Sequence, residues 1–318
     1  MTETSKTVFE KYQIRKTKKQ KSDFIDYVSS ISQENGYKCA VEKGSFGARN
    51  IVVGSPDTAS IVYTAHYDTC PVLPFPNFIT PKKISLYLLY QLIIVVLALI
   101  VYVAMGFTLG VIVGIAANLI SPNAVEYASI LLPLLNLIVW IGILWLILAG
   151  PANKHTANDN TSGVTTLLNI MTSLPTEAKE KVAFVFFDLE ETGLIGSASF
   201  ASRHKKTMQD KLLINFDCVS DGDRMLFVMS KKSLKYKELL ENNFSSNQDV
   251  SVEILSKGVF YPSDQANFKC GVGVASLKYS KIFKTEYMDR IHTKKDTIYR
   301  EENIEFLTKC SVNLALNI

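Results

Sequence analysis

The sequence lacks a strong excess of charge of either sign. Its 318 residues include 34 lysines and arginines and 30 aspartates and glutamates, which gives a formal net charge of +4. This balance gives no reason to expect a nucleic-acid partner, because such domains are usually far more basic. The basic excess is local, since six lysines and arginines lie between positions 11 and 21. A membrane surface could attract them, but residues 1–21 are more simply interpreted as a basic, flexible N-terminal region.

Cysteines are few, and no apolar run lies near the N-terminus. The five cysteines are odd in number and scattered, unlike the paired framework of a small secreted domain. No apolar run follows the N-terminus, so we expect no cleaved secretory signal.

Two long stretches have no charged residue at all. Residues 84–105 and 128–149 are almost entirely apolar. A helix of about twenty residues, at ~1.5 Å per residue, crosses a ~30 Å hydrocarbon core, so both are predicted to span a membrane. Residues 107–120 are too short to cross alone, and we expect a re-entrant or interfacial segment there. The sequence thus predicts a transmembrane insertion over residues 82–150.

The charges beside the insertion predict its orientation. Lys82 and Lys83 precede the first span and Lys154 follows the second, whereas residues 106–127 contain no lysine or arginine. The positive-inside rule then places both flanks, and the folded remainder of the chain, on the cytoplasmic side of the lipid bilayer.

The remainder of the chain, residues 22–81 and 151–318, alternates strand-like apolar runs with helical patterns. Residues 182–187 and 212–216 are apolar runs of strand length. This alternation predicts an α/β fold, a doubly wound and mostly parallel sheet flanked by helices. Such sheets build their sites beyond the carboxyl ends of the strands. Chemically capable side chains follow these runs or open helices: His66, Asp159, Glu191, Asp217 and His292.

These five side chains form a ligand set for divalent metals. Two imidazoles and three carboxylates suit a pair of ions of borderline hardness, zinc above all. With one bridging carboxylate and three ligands per ion, both ions keep an open position for water. Glu190 stands beside a ligand without being needed as one, so it is free to act as a general base.

Taken in order, the motifs resemble the two-zinc exopeptidases of the aminopeptidase Y and bacterial leucyl aminopeptidase type. That family's signature is His-x-Asp, Asn-Asp-x-x-(Ser/Ala)-Gly, Glu-Glu, a strand ending in Asp, and a late His-Thr-x-x-Asp. All five motifs stand here in that order, at residues 66–68, 158–163, 190–191, 215–217 and 292–296. The resemblance covers about residues 20–77 and 153–318.

The resemblance implies a role for each matched position. Asp159 would bridge two zinc ions, or other divalent metals, with His66 and Asp217 at one ion and Glu191 and His292 at the other. Asp68 would hold the far nitrogen of His66, and Asp296 would do the same near His292.

The implied activity is that of a metallo-aminopeptidase acting on peptides with a free N-terminus, which the insertion, absent from soluble members of the family, would anchor in a membrane. Glu190 would take a proton from a metal-activated water and pass it to the leaving amine. Two positions depart from the family pattern. Ile291 stands where some relatives have an oxyanion-stabilising tyrosine, and Gln265 replaces the histidine of a Ser-Asp-His loop.

The insertion itself constrains the topology. His66 precedes it and Asp159 follows it, yet both must reach one ion, so the number of membrane crossings must be even. Short tethers would keep the cleft near the bilayer, which predicts hydrophobic or membrane-released peptides as substrates. Two alternatives stay open: a zinc-dependent acyltransferase such as an N-terminal glutamine cyclase with one zinc, and a non-catalytic membrane scaffold on a peptidase-like domain.

Overall fold

The chain folds into two units. The structure, a computed structural model, describes residues 1–121 and 123–318. The larger unit combines Met1–Ile84 with Ala152–Ile318, and the smaller unit is Ser85–Pro151. The larger unit therefore contains every predicted site residue.

A mixed sheet forms the centre of the larger unit. Within the described residues its strands are β1 (Cys39–Lys43), β2 (Arg49–Val53), β3 (Ile61–His66), β4 (Val182–Phe187), β5 (Leu212–Phe216), β6 (Arg224–Met229), β7 (Ser251–Leu255), β8 (Gly271–Ser280) and β9 (Thr285–Tyr287). Their order is β1-β2-β4-β3-β5-β8-β6-β7, with β9 paired to β8. Strands β4, β3, β5 and β8 run parallel, whereas the pairs β1–β2, β2–β4, β6–β8 and β8–β9 are antiparallel. The predicted α/β sheet flanked by helices is confirmed, and the sheet is parallel at its centre.

Both faces of this sheet are covered. Because successive side chains of a strand point to opposite faces, Phe184 and Phe186 join the larger core cluster, whereas Val185 and Phe187 join the smaller one. The described α-helices are α1 (Glu3–Lys11), α2 (Lys18–Glu34), α3 (Ile84–Ile120), α4 (Ala124–Ala149), α5 (Gly163–Ser173), α6 (Thr176–Lys179), α7 (Ile195–Arg203), α8 (Lys237–Asn243) and α9 (Glu301–Asn317). Residues of α1, α2, α5 and α9 contribute to the larger cluster, and α7 contributes to the smaller one.

The N-terminal region is folded, so the prediction of a flexible segment over residues 1–21 is wrong. Val8 of α1 is completely buried in the larger core, and Phe9 packs edge-on against Tyr299. Thr17 and Gln20 form a reciprocal capping box that begins α2 within the supposed tail. Tertiary burial of a few apolar residues thus overrides the polar composition.

The smaller unit consists of two long apolar helices. Helix α3 has 37 residues and α4 has 26, and no residue in the most apolar window of either is buried. Both are long and apolar enough to cross a membrane. At ~1.5 Å per residue, α3 is about 55 Å long.

The prediction of a separate re-entrant or interfacial segment over residues 107–120 is wrong, because α3 continues through these residues. A glycine inside a helix costs only about 1 kcal/mol relative to alanine, which apolar flanks override. Gly106 also has a packing reason, since a Cβ there would lie 2.5 Å from Asn136 Oδ1 of α4. Small residues permit such close helix approach in membranes.

Candidate metal centre

Three parallel strands bring the predicted site residues together. His66 is the last residue of β3, Asp217 follows β5, and Glu190 and Glu191 lie shortly after β4. Since β3 pairs in parallel with both β4 and β5, their carboxyl ends meet at one edge of the sheet. Asp159 lies in the helical turn before α5, and His292 lies in the loop before α9, and both reach the same edge.

The Asn158–Gly163 motif fixes Asp159 against these strand ends. The Asn160 side-chain amide donates to the Phe216 carbonyl at 3.1 Å and accepts from the Gly163 amide at 3.0 Å. Asn158 Oδ1 accepts the backbone amide of Ser220 at 2.7 Å. A Cβ at position 163 would lie 2.2 Å from the Phe216 carbonyl oxygen, so this close approach requires glycine.

Asp159 faces one histidine with each carboxylate oxygen. Its Oδ1 lies 3.3 Å from His66 Nε2, and its Oδ2 lies 3.2 Å from His292 Nε2. His66 Nε2 is also 3.5 Å from Asp217 Oδ1, and His292 Nε2 is 3.2 Å from Glu191 Oε2. Two groups of ligand atoms therefore share Asp159, as the sequence predicts for a bridging carboxylate.

These spacings fit metal coordination better than direct hydrogen bonding. Charge-assisted N–H···O bonds are usually about 2.7–2.9 Å long. Ligand atoms ~2.0–2.1 Å from a tetrahedral zinc ion are ~3.3 Å apart, which matches the observed separations. In addition, Glu191 Oε1 is buried and has no hydrogen-bond partner within the described part of the chain. The residues present thus fit divalent ions at two adjoining positions.

Buried negative charge dominates the site. Burial raises the pKa of Glu190 well above its ordinary value, and Glu191, Asp264 and Asp217 raise it further. Burial by itself would lower the pKa of His66, but the surrounding carboxylates outweigh this effect and raise it well above 6.5. Divalent cations would neutralise this excess and hold the carboxylates ionised.

Asp68 acts on two parts of the site. Its Oδ1 and Oδ2 accept the backbone amides of Glu190 at 3.0 Å and Glu191 at 3.2 Å. Its Oδ1 also lies 3.5 Å from His66 Nδ1. Asp68 therefore positions the Glu-Glu turn by hydrogen bonds and lies beside the imidazole nitrogen that faces away from Asp159.

Asp296 does not hold His292 as the resemblance implies. Its carboxylate accepts the backbone amides of Asn158 at 2.7 Å and Asp159 at 2.9 Å. Asp296 thus positions the loop of the bridging carboxylate, because its own loop packs against residues 157–159.

Left-handed backbone conformations cluster at the site. His292 has a φ of 63°, Leu189 before Glu190 has 56°, and Cys218 after Asp217 has 58°. Non-glycine residues adopt such angles at an energetic cost, and they concentrate where function requires a fixed geometry.

Arg15 is a site residue that the sequence does not reveal. Its guanidinium is completely buried and donates to the Tyr67 carbonyl at 2.5 Å and to Thr161 Oγ1 at 3.3 Å. It thereby joins the loop after His66 to the turn containing Asp159. Burial lowers its pKa to about 10, so the guanidinium stays charged at neutral pH. Its positive charge offsets part of the negative charge of the nearby carboxylates. Its position within a basic run concealed this role.

A cavity of about 280 Å³ opens beside the cluster and contains Glu190. Among the described residues that line it, Tyr261 has the only hydroxyl group, which donates to the Asp217 carbonyl at 3.1 Å. Gln265 lies outside the lining, where its amide bonds to Asn215 and to the Tyr261 carbonyl. The apolar part of the lining is Ile79, Leu194, Pro262 and Ile291.

Cys70 also lies near the second ligand group. Its sulfur is within 4.8 Å of the ligand atoms of Asp159, Glu191 and His292. Burial raises the pKa of this thiol well above its ordinary value, and the neighbouring carboxylates raise it further. Because metals bind the thiolate, the imidazoles and carboxylates remain the better ligands.

Comparison with known proteins identifies the family. The model of Peptidase family M28 matches residues 146–315, more than half of the sequence. The chain belongs to Peptidase family M28. This family is zinc-dependent, and its members are typically metallopeptidases. His66 and Asp68 precede the matched segment, so only the fold shows that they join the site. None of the curated sequences compared with the chain matches it.

Solved structures share the fold of this family member. The Legionella pneumophila LapA aminopeptidase is 14% identical with a TM-score of 0.55, and the alignment covers 98% of this chain and 69% of LapA. Porphyromonas gingivalis glutaminyl cyclase is also 14% identical with a TM-score of 0.55, and 98% of each chain is covered. A leucine aminopeptidase precursor from Bacteroides thetaiotaomicron is 14% identical with a TM-score of 0.53, and the alignment covers 99% of this chain and 97% of the precursor. The predicted relationship to zinc exopeptidases is confirmed.

Proposed function

We propose that this M28 protein is a membrane-anchored aminopeptidase that uses two zinc ions. The observation that carries the proposal is the orientation of Asp159, whose two oxygens face His66 and His292 separately. One ion would be held by Asp159, His66 and Asp217, and the other by Asp159, Glu191 and His292. Zinc bound there would act as a Lewis acid and lower the pKa of a water molecule.

Glu190 is the proposed general base. It lines the cavity, and its raised pKa suits a group that accepts a proton from the attacking water and returns it to the leaving amine. Asp68 fixes the turn that presents Glu190. Tyr261 is the proposed donor to the oxyanion, because its hydroxyl can leave the Asp217 carbonyl for a stronger acceptor.

The proposed substrates are peptides with a free, apolar N-terminal residue. The cavity is small for a ligand site, which suits a chain terminus better than the middle of an extended peptide. Ile79, Leu194 and Ile291 favour an apolar side chain. Helices α3 and α4 would anchor the protein, with the active site on the cytoplasmic side because Lys82, Lys83 and Lys154 flank them.

One assay separates the proposed activity from its alternatives. The full-length protein in lipid nanodiscs is loaded with zinc, and its metal content per chain is measured. It is then incubated with Leu-, Lys- and Gln-initiated peptides, and products are identified by mass. We expect two zinc ions per chain and release of the first residue, fastest for Leu. Cyclisation of the Gln peptide with ammonia release and one zinc would indicate a cyclase, whereas neither metal nor turnover would indicate a scaffold.

A further inference from the structure

We propose that the turn Lys281–Lys284 docks on the surface of an anionic lipid bilayer. We call this segment, with sequence Lys-Ile-Phe-Lys, the β8–β9 turn. The inference rests on the membrane anchoring proposed above, and it adds a second point of membrane contact within the larger unit.

The turn exposes two adjacent apolar side chains, of which Ile282 is the more exposed. Ile282 is 87% exposed and Phe283 is 40% exposed, and both flanking lysines are exposed as well. Adjacent apolar side chains at the tip of a turn gain nothing from water, and they are typical of contact surfaces. The turn contains no acidic residue.

The position of the turn points to a bilayer as its partner. Lys83 Nζ donates to the Phe283 carbonyl at 2.7 Å, and Phe78 packs edge-on against the Phe283 ring. Lys83 immediately precedes Ile84, where the apolar helix α3 begins. The turn therefore contacts the residues through which the chain would enter the membrane.

The positive charge of this surface favours an anionic bilayer as its partner. Lys83, Lys281 and Lys284 are exposed on it, and Lys257 is exposed in the loop whose Phe260 amide bonds to the Pro81 carbonyl. Basic side chains beside apolar ones suit anionic headgroups above an acyl boundary. A second copy of this chain would present the same positive charge and would be repelled.

Docking would also orient the active-site edge. Strand β8 runs parallel to β5, so the turn after β8 lies at the sheet edge that holds Asp217 and the rest of the metal cluster. Contact of this turn with lipid would keep that edge towards the membrane, where apolar peptides concentrate.

The test compares two labelled positions in the full-length protein in nanodiscs. Nitroxide spin labels are attached to Ile282→Cys and to Leu234→Cys, and unsubstituted protein gives the background from native cysteines. Leu234 is a matched control, because its side chain is 39% exposed and Lys232 and Lys235 lie on either side of it in the sequence. It follows β6, which runs antiparallel to β8. It therefore lies at the opposite edge of the sheet.

The collision rate of each spin label with oxygen, which concentrates in lipid, is compared with its collision rate with a water-soluble nickel chelate. A high oxygen-to-nickel ratio therefore indicates that the label lies in lipid. We expect the label at 282 to have a several-fold higher oxygen-to-nickel ratio than the label at 234, and this excess should grow with the anionic lipid fraction. Adding Lys281→Glu and Lys284→Glu should reduce it. Equal ratios at the two positions would overturn the proposal, as would spin–spin broadening between chains that shows self-association.

Failure of the proposed function can be distinguished from failure of the docking inference. Extraction of the protein by alkaline carbonate would contradict anchoring by α3 and α4, and lack of aminopeptidase turnover would contradict the assigned activity. An anchored, active protein with a water-exposed label at 282 would overturn the docking inference alone.

Discussion

At the scale of single residues, two adjacent glutamates illustrate how position divides chemical roles. Glu191 Oε2 lies 3.2 Å from His292 Nε2, within one ligand group. Both glutamates line the cavity, and a carboxylate oxygen of Glu190 lies within 4.8 Å of the ligand atoms of His66 and Glu191, but among the described residues Glu190 forms no closer ion pair with a histidine. Identical side chains thus become a metal ligand and a proton acceptor in the proposed mechanism.

The variant Glu190→Gln should therefore retain its metal content and lose about 10²–10⁴-fold in kcat, because the amide cannot accept the proton. Glu191→Gln should instead lower the metal content. Turnover and metal content measured on the same samples check both expectations. Near-normal hydrolysis by Glu190→Gln would remove the assigned base.

Arg15 offers a second test at this scale. Arg15→Met removes a buried charge and leaves the Tyr67 and Tyr12 carbonyls without their donor, so it should cost about 3 kcal/mol and weaken metal retention. Lys19→Met, at an exposed position in the same basic run, is the control and should change stability by under about 0.5 kcal/mol. Thermal melting and dialysis against a chelator measure the two effects, and equal behaviour of the variants would contradict the role of Arg15.

At the scale of elements, local patterns predict the central strands well. Residues 182–187 and 212–216 match β4 and β5 residue for residue, because long apolar runs have few alternatives. Helix α1 was not predictable in this way, since its burial depends on contacts of Val8 and Phe9 with residues far along the chain. The role of Asp296 likewise required the fold, because it bonds to backbone rather than to a motif side chain.

The continuous helix α3 gives an element-scale prediction. Gly106→Leu should separate α3 from α4, because a side chain there would clash with Asn136. Gly114→Leu is the matched control, since no atom lies within 4 Å of its added Cβ. Crosslinking of Tyr102→Cys to Trp140→Cys by a short bifunctional thiol reagent that spans the space of the two native rings, whose centroids are 5.1 Å apart, should fall several-fold only with Gly106→Leu. An equal yield in both backgrounds would contradict this packing.

At the scale of the whole molecule, an inserted pair of helices interrupts one folded unit. Residues on both sides of the insertion belong to the larger unit, so a membrane-spanning hairpin must begin and end on the same side of the bilayer. The motifs predict this arrangement because His66 and Asp159 must meet, and the 3.3 Å separation of their ligand atoms agrees with it.

This topology predicts different thiol accessibility on the two sides of the membrane. In sealed cells or vesicles, Asn123→Cys between α3 and α4 should react with an impermeant reagent from the outside, whereas Lys154→Cys should react only after permeabilisation. Reaction of both positions from the same side would contradict a two-span hairpin.

The central claim concerns the two metal positions that share Asp159. Zinc K-edge X-ray absorption of the zinc-loaded, full-length protein measures it most directly, because scattering between neighbouring zinc ions reports their separation. We predict a zinc–zinc vector at about 3.5–4 Å that disappears in Asp159→Asn. A spectrum of isolated zinc ions, with no such vector in the unsubstituted protein, would contradict the account.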